Sequence, residues 1–202
     1  MNKYMVYFPS RGRVNKLDTT IEKFFENPSI YKYAMIRLEE VEVYAPLQLK
    51  WDLKIHEVPD DYTIAEKRSF ALELAHMAGY EKMFIIDEDV HLYRRKKEDT
   101  TKIKHIAYED EYILSIFHAM SDLCTEFTPI TGLMNRAMAQ EKIGFSVVVN
   151  EPIIRMCCYY VPYFVNRDVY PNDLGVPFMS DRYMQLSVIE DERFTLSLND
   201  YV

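Results

Sequence analysis

The chain has 202 residues, 49% of them apolar and 28% charged, so a disordered or linker-like chain is excluded: this much apolar surface can offset the entropy lost on ordering. Acidic residues outnumber basic ones by 32 to 24, a net charge of −8, which excludes a generally basic nucleic-acid coat but leaves room for a local basic patch. Three cysteines, Cys124, Cys157 and Cys158, lack CxxC or Cys/His ligand spacing, so neither a paired disulfide framework nor a structural zinc site is expected.

The N-terminal apolar stretch is too short for a signal peptide. The longest apolar run, Met156 to Val165, is broken by Pro162, and nothing approaches the roughly 20 apolar residues that span a bilayer. One domain over residues 1–202 in a reducing cytoplasm, without membrane contact, is the expectation. Cys157 and Cys158 are adjacent, and two reduced thiols in a strand are favoured over a strained vicinal disulfide.

In chain order, Tyr4 to Phe8 is an aromatic and β-branched run that predicts a strand, closed by the polar turn Pro9-Ser10-Arg11-Gly12-Arg13. Leu17, Ile21, Phe24 and Phe25 share one face of a helix, which Asn27-Pro28 ends because the residue before proline avoids the α region. A second strand fits Tyr33 to Leu38, with further extended pieces between Val41 and Val58. Thr63-Ile64-Ala65-Glu66 has the capping-box pattern, Phe70, Ala71, Leu74, Met77 and Ala78 form the helix's expected buried face, and Gly79 suits an αL cap. Met83-Phe84-Ile85-Ile86 reads as a central strand, apolar on both faces. Ile113, Ile116, Phe117 and Met120 mark a further helix. Phe145 to Val149 and Ile153 to Phe164 read as extended, Ser180 as the cap of a last helix through about Ile189, and Thr195 to Leu198 as a final strand. Alternating strands and helices predict an α/β fold with a mainly parallel sheet.

The chemistry concentrates where the apolar strand runs into Asp87-Glu88-Asp89. Ligands gather at the carboxyl ends of strands in open α/β sheets. Three adjacent carboxylates repel one another and need a cation to stay ionised together. Asp87 and Asp89 can address one hard divalent ion that bridges to a diphosphate, with Glu88 pointing the other way along an extended backbone. An isolated DxD is also what a solvated acidic turn looks like. Here the preceding buried strand and capped helix favour a ligand site.

The turn Pro9-Ser10-Arg11-Gly12-Arg13, the segments Glu66-Lys67-Arg68-Ser69-Phe70-Ala71-Leu72 and Phe84-Ile85-Ile86-Asp87-Glu88-Asp89, and Ser180-Asp181-Arg182-Tyr183-Met184-Gln185-Leu186 together resemble the GT-A glycosyltransferases over roughly residues 4 to 201. Within that family the likeness is to small bacteriophage enzymes that glycosylate hydroxymethylated bases in DNA. The resemblance implies a GT-A-like, Rossmann-type, mainly parallel twisted sheet flanked by helices. It implies Mn²⁺ or Mg²⁺ held by Asp87 and Asp89 against the diphosphate of a UDP-sugar. Pro9, Ser10, Arg11, Arg13, Lys67, Arg68 and Glu88 would then surround the nucleotide-sugar, and Asp181 would be the general base on the acceptor hydroxyl. Two departures stand out: Ser180 occupies the place of the family's usual Glu, and no histidine follows His118 to serve as the family's late metal ligand.

Arg94, Arg95, Lys96, Lys97, Lys102 and Lys104 face only Glu98 and Asp99 within residues 94 to 104, a local net charge of +4 on an acidic protein. Such a loop can track a phosphate backbone, and with the resemblance it makes DNA the first choice of acceptor, through the hydroxyl of 5-hydroxymethylcytosine. A solvated loop is the alternative. Tyr159, Tyr160, Tyr163 and Trp51 are read as packing residues, and His91 as a weak site candidate. A glycosyltransferase with a saccharide or protein acceptor stays an alternative, and two other classes remain open. One is a sugar nucleotidyltransferase, against which the missing Gly-rich phosphate loop counts. The other is a catalytically inactive module that binds modified DNA or saccharide.

Overall fold

The computed structural model describes residues 4–96, 98–99, 101–105, 110–134, 146–170 and 180–199. Strand β1 (Tyr4–Phe8) is followed by α1 (Val14–Thr20), whose last turn widens through Ile21–Phe25. Next come β2 (Ile30–Arg37), α2 (Val41–Trp51), β3 (Lys54–Val58), α3 (Ile64–Met77) and β4 (Lys82–Ile86). A short hairpin, β5 (Tyr93–Arg95) with β6 (Ile103–His105), precedes α4 (Asp110–Leu123) and β7 (Ile130–Met134). The remaining elements are β8 (Val147–Val149), β9 (Ile153–Tyr160), α5 (Val161–Val165), α6 (Ser180–Glu190) and β10 (Thr195–Leu198).

Among the described residues eight strands form one sheet in the order β3-β2-β1-β4-β9-β7-β10-β8. The first four are mutually parallel, β9 runs antiparallel between β4 and β7, β10 is parallel to β7, and β8 closes the order antiparallel. The sheet is therefore mixed and mostly parallel. β4 is apolar on both faces because helices cover both. Phe84 and Ile86 pack with Leu17, Ile21, Phe25 and Phe117, whereas Met83 and Ile85 pack with Ala71, Leu72, Ala75 and Phe164. The face expected for Leu17, Ile21, Phe24 and Phe25 is buried in full.

Three local expectations are corrected. The first half of the stretch from Val41 to Val58 is helical, since Val41, Tyr44, Leu47 and Trp51 repeat at helical spacing and pack on the core. That helix contains Pro46, and Asp18 accepts hydrogen bonds from Trp51 Nε1 at 2.6 Å and Lys50 Nζ at 2.8 Å near its C-terminal end. The extended run from Ile153 stops at Tyr160, because Pro162 sits in the first turn of α5, where a missing N–H costs nothing. In α3 the capping box and the left-handed Gly79 (φ +74°) are present, but the buried face is rotated. Ala65, Arg68, Ala71, Leu72 and Ala75 are inside while Met77 is 72% exposed, because the first turns of the helix turn polar side chains, not apolar ones, toward the sheet's carboxyl edge.

Candidate active site

The turn after β1 is held from two sides. Ser10 is buried, its hydroxyl 2.7 Å from the Tyr44 hydroxyl, which also accepts the Arg13 N–H at 3.0 Å. Gly12 supplies the left-handed bend at φ +63°. Beneath the turn lies Lys67, 1% exposed, whose ammonium donates to the Ser10 carbonyl and, at 3.0 Å, to the Met35 carbonyl. Burial pulls its pKa down from 10.5 to about 8, partly offset by the charge of Glu40. Lys67 thus ties the β1 turn to the end of β2. Together with Arg11, Tyr62, Thr63 and Ile64 it lines a cavity of about 160 Å³ at the N-terminus of α3.

The acidic motif sits at the carboxyl end of β4, where two neighbouring strands and two helices converge. The Asp87 N–H donates to the Arg155 carbonyl at 2.7 Å, and Asp87 Oδ1 lies 2.9 Å from Arg68 Nη2. Residues 87–90 form a turn rather than extended backbone, with the Val90 N–H 3.4 Å from the Asp87 carbonyl. Glu88 is consequently not directed away from Asp89. Arg13 Nη1 reaches both, at 3.3 Å from Glu88 Oε1 and 3.7 Å from Asp89 Oδ2. Burial raises the Glu88 carboxyl above the ordinary glutamate value, Arg13 opposes that rise, and Asp87 and Asp89 add to it. Its carbonyl is anchored by the Thr20 hydroxyl at 2.7 Å. Asp89 also meets Lys16 Nζ at 3.4 Å and Arg155 Nη1 at 3.9 Å.

Side-chain cations therefore compensate the carboxylates that the sequence leaves in need of one. Among the described residues no group of three or more His, Cys, Asp or Glu side chains converges as a metal cage. Asp87 and Asp89, about a quarter exposed at 27% and 28%, are the two residues here that would hold a hard divalent ion such as Mn²⁺ or Mg²⁺ through carboxylate oxygens.

Arg155 and Lys16 stand beside Asp89 in the candidate site although neither lies in the acidic motif or the β1 turn. Arg155 has φ +72° and sits in an irregular stretch of β9, where the pairing with β7 steps from Gly132↔Cys157 to Met134↔Ile153. Gly132 permits that close passage. A Cβ there would lie 2.0 Å from Ile153 Cγ2 and 2.7 Å from the Met156 carbonyl oxygen. Arg155 is distant from the motif in sequence, so only Lys16, one helical turn past the Arg13 loop, carried any local signal.

Asp181 is the second residue of α6, whose Gln185 side chain brackets the start of β9: Oε1 accepts the Ile153 N–H at 3.0 Å and Nε2 donates to the Ile153 carbonyl at 2.6 Å. The basic loop is the β5–β6 hairpin, and its strand alternation divides the cations. Arg94, Lys96 and Lys104 line a cavity of about 200 Å³ with Glu98 and Tyr112, the Arg94 guanidinium lying 4.0 Å over that ring. Arg95 points the opposite way and is buried, donating to the Asn199 carbonyl at 3.0 Å and to Asn199 Oδ1 at 2.8 Å. Lys102 pairs with Asp99 at 2.8 Å, and Lys97 falls outside the described residues. Cys124, Cys157 and Cys158 are buried and form no disulfide. No helix among the described residues is long and apolar enough to cross a membrane.

The fold is GT-A-like, a mixed and mostly parallel α/β sheet flanked by helices. No family profile and no curated protein sequence matches the chain. Solved structures do. The 1–349 fragment of TarS from S. aureus superposes with a TM-score of 0.60 at 12% identity over 98% of this chain and 58% of that one. A mannosyltransferase from Pyrobaculum calidifontis, solved with GDP-Man and Mn²⁺, gives 0.58 at 10% identity over 96% of this chain and 53% of its own length. A 4-diphosphocytidyl-2C-methyl-D-erythritol synthase from Anaerococcus prevotii gives 0.53 at 12% identity, covering 94% of this chain and 83% of that one. The chain thus spans between half and two thirds of the length of TarS 1–349 and of the mannosyltransferase.

Proposed function

We propose that this protein transfers a glycosyl group from a nucleoside diphosphate sugar, a UDP-sugar first, to a hydroxyl acceptor. The observation that carries the reading is the Asp87-Glu88-Asp89 turn at the carboxyl end of β4, ringed by Arg13, Lys16, Arg68 and Arg155 on a GT-A-type sheet. A divalent ion on Asp87 and Asp89 would supply charge neutralisation at the diphosphate. The chain's own residues do the rest. The cavity between Arg11, Tyr62 and Lys67 suits a nucleobase or ribose in size, and Arg13 and Arg68 have the forked geometry that holds phosphate oxygens. Asp181, in the first turn of α6, takes the proton of the acceptor hydroxyl as its oxygen bonds to the sugar C1 and the C1–O bond to the diphosphate breaks, leaving the electron pair on the departing nucleotide.

For the acceptor, hydroxymethylated cytosine in DNA is the reading to test, supported by the Arg94, Lys96 and Lys104 face of the hairpin. The decisive experiment measures UDP release from UDP-sugars in Mn²⁺, with and without DNA containing 5-hydroxymethylcytosine. Acceptor-dependent release supports transfer to DNA. Release that is stimulated only by saccharide or polyol moves the acceptor. Pyrophosphate formation from UTP and a sugar phosphate would establish nucleotidyl transfer, a chemistry kept in view by the Anaerococcus neighbour, although Gly12 is the only glycine in the β1 turn. Tight UDP binding with no turnover would leave a binding module.

A further inference from the structure

We propose that a second cavity, beside Asp89, is the acceptor subsite and that it takes an acceptor bearing a phosphate group next to its reactive hydroxyl; this rests on the glycosyl-transfer reading above. The cavity measures about 430 Å³, within the range of small-molecule sites, and shares no lining residue with the smaller cavity at Arg11 and Lys67. Its wall carries Lys16, Arg155 and His91, with Asp89 the sole acidic member among the described residues.

The charge balance points to an anion. Glu88 is met by Arg13 and Asp87 by Arg68, so Asp89 stands against both Lys16 and Arg155, at 3.4 and 3.9 Å. Cations thus outnumber carboxylates on this wall of a protein whose net charge is −8. The Arg155 guanidinium is half exposed, at 51%, and lies too far from Asp89 for a tight bidentate pair. It is placed to accept a second anion.

The backbone supports the same assignment. Arg155 holds a left-handed φ of +72° inside a strand, a conformation unfavourable for a residue with a Cβ, and the irregular passage that creates it depends on Gly132. The Arg155 carbonyl at the same time fixes the Asp87 N–H. Packing alone would be better served by glycine at position 155. An arginine there is explained by what its guanidinium binds.

The test titrates three probes into wild type, Arg155→Gly, Arg155→Lys and Lys16→Gln, followed by NMR shifts: glycerol 1-phosphate, glycerol, and an oligonucleotide containing 5-hydroxymethylcytosine. Glycerol 1-phosphate should bind wild type and glycerol should not. Arg155→Gly and Lys16→Gln should each weaken the phosphate by about tenfold or more, and Arg155→Lys by less. Arg155→Gly should melt at or above the wild-type temperature, since glycine relieves the left-handed strain. That combination of lost binding and kept stability is one a merely structural arginine would not give. Tighter binding of the oligonucleotide assigns the phosphate to nucleic acid, and binding of the small ester alone assigns it to a phosphorylated polyol. Equal phosphate affinity in wild type, Arg155→Gly and Lys16→Gln, or glycerol binding as well as its phosphate, overturns the proposal. Wild type that binds the phosphate but not UDP in Mn²⁺ instead overturns the donor reading, and with it the acceptor role.

Discussion

Arg68 Nη2 lies 2.9 Å from Asp87 Oδ1, which joins the first turns of α3 to the carboxyl end of β4. The acidic motif is therefore part of the protein's packing as well as its candidate ligand site, and the two aspartates should respond differently to truncation. Asp87→Ala removes the carboxylate beside a buried guanidinium and should cost about 2 kcal/mol of stability, whereas Asp89→Ala, in a more open cluster, should stay within about 0.5 kcal/mol. Both should weaken UDP binding in Mn²⁺. Urea unfolding and calorimetry on the two variants check this, and equal, metal-independent UDP affinity in wild type and both variants would remove the motif from donor binding.

Lys67 gives a pH signature. Its folded-state pKa of about 8 lies below the unfolded value of 10.5, so between those values the unfolded chain binds more protons and stability rises with pH. Relative to Lys67→Met, wild type should gain up to about 3 kcal/mol between pH 8 and pH 10.5, and the penalty should be constant below pH 8. Parallel denaturation curves for the two proteins across that window would show that Lys67 is not held against its charged form.

Gly132→Ala should be among the most damaging single-methyl additions in the chain. The new Cβ would meet both Ile153 and the Met156 backbone, which cannot yield without moving β9. A loss of about 3 kcal/mol or more is expected, with disturbed amide signals at Asp87, whose N–H depends on the Arg155 carbonyl. A variant with wild-type melting temperature would mean that β7 and β9 can separate freely.

Asp181→Asn keeps shape and removes basicity. UDP release in the presence of acceptor should fall by roughly 10²-fold, with donor affinity little changed. Wild-type turnover in this variant would assign the proton transfer to another group or to a mechanism that needs no base.

The hairpin cations should separate into two kinds. Arg95→Gln should destabilise by about 2 kcal/mol by removing its hydrogen bonds to Asn199 and leave nucleic-acid affinity alone. Joint neutralisation of Arg94, Lys96 and Lys104 should do the reverse, making the slope of log affinity against log salt shallower by up to about 0.9 for each duplex phosphate that is no longer neutralised. An unchanged salt slope in the triple variant would leave the hairpin without a role in DNA binding.

Local features were legible in the sequence where their cause is local. The capping box at Thr63, the αL glycine at position 79, the buried face of Leu17, Ile21, Phe24 and Phe25, and the doubly apolar β4 leading into Asp87-Glu88-Asp89 each follow from residues within a turn or two of one another. Strand direction past β4 and the rotation of α3's buried face were not legible. Both depend on which surfaces pack, and periodicity is silent on that.

By itself the sequence determined the alternation of strands and helices, and the acidic turn at the end of a central strand. Only the tertiary structure decided how that turn is neutralised, that Lys67 is a buried tie between β1 and β2, that Arg95 faces inward while Arg94 faces out, and that Arg155 stands beside Asp89. The physical reason is that charge compensation acts through space over a few ångströms. The chain supplies it from α1, α3 and β9, which become neighbours of β4 only when the sheet assembles.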